Sequence, residues 1–75
     1  MFLVIARTNL DDLPLELSLS KSRAEYKANH VTIGDIEEAA RVMGVGVAGL
    51  INVQIVEFIH NKPASCTFVC ELGEL

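Results

Sequence analysis

The chain predicts a small α+β fold: an antiparallel sheet crossed by one main helix, in the order β-β-α-β-β. Three observations predict it. The length of 75 residues fits one domain, residues 1–75. Branched and aromatic runs at both ends have strand character. Between them lies a segment with a helix-start signal at one end and a helix-stop signal at the other.

The elements follow in order. Phe2 to Thr8 reads as a strand, and its nearly continuous apolar character suits a central strand covered on both faces. Asn9 to Pro14 supplies turn residues. Leu15, Leu17 and Leu19 then alternate with Glu16, Ser18 and Ser20, the period of a strand with one buried and one wet face. These two runs are expected to pair as a hairpin. Lys21 to His30 is polar and reads either as a short helix starting after Ser22 or as an exposed continuation of the strand.

Thr32 to Met43 carries the clearest helix signals. Thr32 is a good N-cap and Asp35 stands three residues on, where its carboxylate can reach back to the cap. Ile33, Ile36, Ala40 and Met43 share one face. Gly44 follows as the residue that ends the helix in a left-handed conformation. Val45 to His60 is rich in Val and Ile, which favours a strand from about Ile51 to His60 over a second helix. Asn61 to Ala64 is read as a turn, and Ser65 to Leu72 as a last strand with Cys66, Phe68, Cys70 and Leu72 on one face.

Composition narrows the function classes. Half of the residues (51%) are hydrophobic. A chain this short buries only about 60% of its unfolded surface when it folds alone. Apolar surface should therefore remain outside and mark an interface, which predicts a homo-oligomer, a dimer first of all. A small ligand could then sit between subunits. The net charge of −4 argues against a nucleic-acid partner. The apolar start, Met1 to Ala6, ends at Arg7 and is too short for a signal peptide or a span, so a cytoplasmic chain without membrane contact is expected.

The candidate chemistry is sparse. Cys66 and Cys70 would stand roughly 13 Å apart on a strand, too far for a disulfide or a shared metal ion. With His30 and His60 they show no metal-ligand spacing. No nucleophile has a base and an orienting group beside it, so neither an enzyme nor a cofactor is expected. Lys21, Arg23 and Lys27 form the one local basic cluster, a candidate contact for an anion or an acidic partner.

Gly44-Val45-Gly46-Val47-Ala48-Gly49 spells G-x-G-x-x-G, but the expected helix precedes it, where a dinucleotide loop needs a strand. Ala40-Arg41-Val42-Met43-Gly44-Val45, with Leu50 beyond, resembles the Ala-x-x-x-Gly-Val core of a helix-turn-helix. That resemblance implies a DNA-binding regulator using residues 35–59. Against it, Val47 to Ile59 has no Lys or Arg for the phosphate contacts that dominate DNA affinity.

Overall fold

A computed structural model describes residues 1–75. The elements are β1 (Phe2–Arg7), β2 (Leu13–Ser18), α1 (Lys21–Asn29), α2 (Ile33–Met43), β3 (Leu50–Ile59) and β4 (Lys62–Glu74). The strands form one antiparallel sheet in the order β2-β1-β3-β4. The α+β class stands, but the order is β-β-α-α-β-β, with two helices where one main helix was expected.

The added helix is α1. Ser20 caps it, its hydroxyl accepting from the Arg23 backbone N–H, so the helix starts at Lys21 and not after Ser22. Composition hid it because its inward residues are the small Ala24 and Ala28, both fully buried. Alanine leaves little apolar signature, yet it lets the helix lie close on the sheet, where α1 touches all four strands. The Cys70 thiol stands 3.7 Å from the Ala28 carbonyl oxygen.

Helix α2 keeps the predicted ends. The Thr32 hydroxyl accepts from the Asp35 N–H at 3.2 Å, and the Asp35 carboxylate accepts from the Thr32 N–H at 2.9 Å. Those bonds hold the Asp35 carboxyl below its ordinary pKa of 3.8. Gly44 closes the helix at φ 69°, its N–H directed to the Ala40 and Arg41 carbonyls. The chain then runs to β3, so the Gly44–Gly49 segment is a loop between a helix and a strand. It is tied at several points: the Asn9 N–H donates to the Ala48 carbonyl at 2.9 Å, and Gly49 and Leu75 exchange two backbone bonds of 3.0 Å.

Register decides which face each strand residue meets. On β3, Ile51, Val53 and Ile55 are buried under the helices, and Gln54, Val56 and Phe58 point to the opposite, open face. Between β1 and β2 the ladder slips at Val4/Ile5, leaving Leu15 as an extra residue. The slip puts Leu13 and Ser18 in the core region and turns Leu17 outward, with 59% of its surface exposed. The expected buried row of Leu15, Leu17 and Leu19 is thus broken, and Pro14 belongs to β2 and not to the turn.

Strand β4 departs further from its predicted form. It begins at Lys62, because the hairpin turns on His60 and Asn61, with φ of 52° and 64°. Positive φ at both central residues is the pattern of a type I′ turn, which suits the twist of the flanking strands. Three register shifts along β3–β4 then place Cys66 beside Val56 and Cys70 beside Val53. The two cysteines, expected on one face, lie on opposite faces of the sheet. Both thiols are free.

Candidate functional site

The predicted basic cluster does not converge. Arg23 reaches Glu16 on β2, Nε to Oε2 3.4 Å. Lys27 borders a shallow groove between α2 and β2, beside Asp35 and Glu38. Lys21 faces a different space, against the β3–β4 hairpin. Positions 23 and 27 are one turn apart on the same flank of this nine-residue helix, but their side chains go to different partners, and position 21 lies on the other flank.

That third space is the most enclosed concavity of the molecule, a cleft of about 390 Å³ between α1 and the sheet. Lys21, Glu25 and Asn29 recur every four residues and form its helical wall. Its floor is two cross-strand rows: Phe2, Glu57 and Ser65 adjoin on β1, β3 and β4, and Ile55 and Thr67 form the next row. Phe68 stands at the rim, 58% exposed. The cleft exists because α2 sits toward β2, which leaves α1 alone over the β3–β4 half of the sheet.

The opposite face has no helix over it. One cross-strand row, Leu17, Leu3, Val56 and Cys66, traverses all four strands and is apolar throughout. Met1 and Phe58 extend the surface at one end and Ile5 at the other. Arg7 on this face is already engaged: Nη1 meets Asp12 Oδ2 at 2.9 Å and Nε donates to Gln54 Oε1 at 2.8 Å. Its cross-strand row ends at Glu71 on β4, the other charge of the face. Gln54 Oε1 also accepts from the Cys66 thiol at 2.9 Å.

The remaining candidates stay apart. His30 stacks on Tyr26 with ring centroids 4.0 Å apart, and its Nδ1 lies 2.7 Å from the Tyr26 carbonyl oxygen. His60 sits in the type I′ turn. No three His, Cys, Asp or Glu side chains stand close enough together to hold a metal ion. Thr32 and Gly44 act where they were predicted, as the two ends of α2. Residues 50–59 are β3, so the recognition helix that a helix-turn-helix needs after Gly44 is not formed. No helix is long and apolar enough to cross a membrane.

Sequence reasoning missed Glu57 and the open-face row. Glu57 is a single acidic residue within a strand of mostly apolar residues, and its place beside Phe2 follows from pairing across more than fifty residues. The signal for the open face was present in β1, whose continuous apolar run called for cover on both sides.

No protein-family model, curated protein or solved structure gives a significant match to the chain.

Proposed function

We propose that this chain is a small interaction module, without catalytic activity of its own, that works as a two-fold homodimer through the open face of its sheet. The observation that carries the reading is the Leu17–Leu3–Val56–Cys66 row with no helix over it. Strand β1 is apolar on both faces, and this chain supplies cover for only one of them.

Scale and charge support a second copy as the cover. Where all four strands overlap, the sheet is about 19 Å wide and about 20 Å long, and β3 and β4 extend it further. A standard interface takes about 800 Å² per partner, about a sixth of the 4643 Å² surface of this chain. A two-fold interface sets a patch against its own copy, so an unpaired charge would meet its like. Here Arg7 is neutralised by Asp12 within the same chain, and the unpaired Glu71 stands at the β4 edge, outside the apolar Leu17–Leu3–Val56–Cys66 row. The free edge of β4 is a poorer seam, since Pro63 and three register shifts interrupt its ladder.

Light scattering across a concentration series tests the reading. A dimer mass is expected for the parent chain and a monomer mass for Leu17→Glu. Leu17 is exposed in the single chain, so its replacement leaves the fold intact while placing two carboxylates in the interface. A monomer mass for the parent at high micromolar concentration overturns the proposal.

A further inference from the structure

We propose that the cleft between α1 and the β3–β4 hairpin is a binding site for a small organic cation with an apolar body, an amine carried on an aromatic or aliphatic stem. The inference starts from Glu57. It sits on a central strand, on the face that the helices cover, half-buried between Phe2 and Ser65. A carboxylate there gives up hydration and is poorly suited to a strand interior. Yet its side chain makes no hydrogen bond and no ion pair within the chain.

The other charges of the cleft are equally unengaged. Neither Lys21 nor Glu25 forms an ion pair, although both line the same space as Glu57. Two carboxylates against one ammonium leave the cleft with a net negative charge, so a cation is the favoured guest. Phe2 and Phe68 supply apolar and aromatic wall, to which a cation and its stem are both attracted. A volume of about 390 Å³ lies within the usual range of small-molecule sites. The Ser65 and Thr67 side chains, at the same floor, offer hydroxyl acceptors for the remaining N–H groups of an ammonium.

This site is separate from the proposed dimer face. It lies on the helix side of the sheet and within one protomer; of its lining, Ser65 also borders the open face and Phe68 pairs with the open-face Gln54, both on the edge strand β4. Its helical wall, Lys21, Glu25 and Asn29, lies outside the open face, so changes there report the cleft whatever the oligomeric state.

The decisive comparison uses two probes of the same shape and opposite charge, phenethylamine and phenylacetate. Each is titrated into the 75-residue chain labelled with nitrogen-15, following backbone amide shifts. Phenethylamine is expected to bind in the millimolar range and to shift the amides of residues 21–29 and 65–69. Phenylacetate is expected to leave them in place. Glu57→Gln, close in shape to Glu57, should weaken phenethylamine about tenfold, the effect of losing one charge-assisted contact. Glu25→Gln on the exposed helix face should weaken it less, and Lys21→Met should tighten it. Equal or stronger shifts with phenylacetate, an unchanged affinity in Glu57→Gln, or shifts confined to other surfaces each overturn the proposal. If Glu57→Gln fails to fold, the Glu25→Gln and Lys21→Met pair decides, because their expected effects have opposite signs.

Discussion

The two faces of the sheet are built from the same kinds of side chain and meet different fates. Under the helices, Val4, Ala6, Ile51 and Val53 are completely buried against Ala24, Ala28 and Ile36. On the other face, Leu3, Ile5, Leu17 and Phe58 are equally apolar and keep part or most of their surface exposed. Half of the residues are hydrophobic, but only twelve hydrophobic residues are buried. The difference teaches that apolar character alone does not make a core. A core needs a second layer, and two short helices supply one only for a single face.

The largest test of this contrast is a pair of truncations. Ile51→Ala, in the covered layer, should cost about 2–5 kcal/mol in urea unfolding, because it leaves a cavity that rigid neighbours cannot fill. Leu17→Ala, on the open face, should change the stability of dilute protein by less than about 0.5 kcal/mol. At concentrations where the dimer forms, Leu17→Ala should lower the unfolding midpoint as well, since dimerisation stabilises only the folded state. Equal costs for the two variants in dilute protein would mean that the open face is covered within one chain.

The next test concerns the loop that closes the covered layer. Gly49→Ala should cost about 1–3 kcal/mol: its φ of 75° is unfavourable for any side chain, and a Cβ there would collide with the Asn9 side-chain amide. Gly44→Val should cost about 1 kcal/mol or a little more, because φ is 69° but the surrounding space is open. A larger cost at Gly44 than at Gly49 would show that the β1–β2 turn is not the loop's anchor.

A smaller effect, and a favourable one, is expected at the tip of the β3–β4 hairpin. Replacing His60-Asn61 by Asn-Gly should stabilise the chain by about 0.5–1 kcal/mol, since that pair accommodates positive φ at both positions better. Thermal unfolding of the double variant checks it, and destabilisation would mean that His60 makes a contact across the open face.

The smallest effect is on pH. The folded Asp35 carboxyl is held below its ordinary value by bonds from Thr32. Protons therefore bind the unfolded chain more readily, and this contribution is present above about pH 4 and fades as the pH falls through the lowered folded value. Urea midpoints taken between about pH 5 and pH 3 should fall less in Thr32→Ala than in the parent.

Legibility in the sequence followed the range of the interaction. The ends of α2 were legible because Thr32, Asp35 and Gly44 act on backbone groups within a few residues of themselves. The strand β3 was legible because its branched side chains favour extended backbone wherever it is placed. Helix α1 was one of two readings left open, since Ser20 caps a polar segment whose buried residues are two alanines. Lys21 was singled out for its charge, but Glu25 and Glu57, which share its cleft, come from a helix and a distant strand.

By itself the sequence determined the α+β class, the capped helix, the end of that helix at Gly44, and an excess of apolar surface. Those properties depend on local backbone preference and on composition. Only the tertiary structure decided which apolar residues fill the core, because single-residue slips at Leu15 and along β4 move side chains from one face of the sheet to the other. Only it brought Phe2, Glu57 and Lys21 together, since their meeting depends on strand register and on where α1 comes to rest.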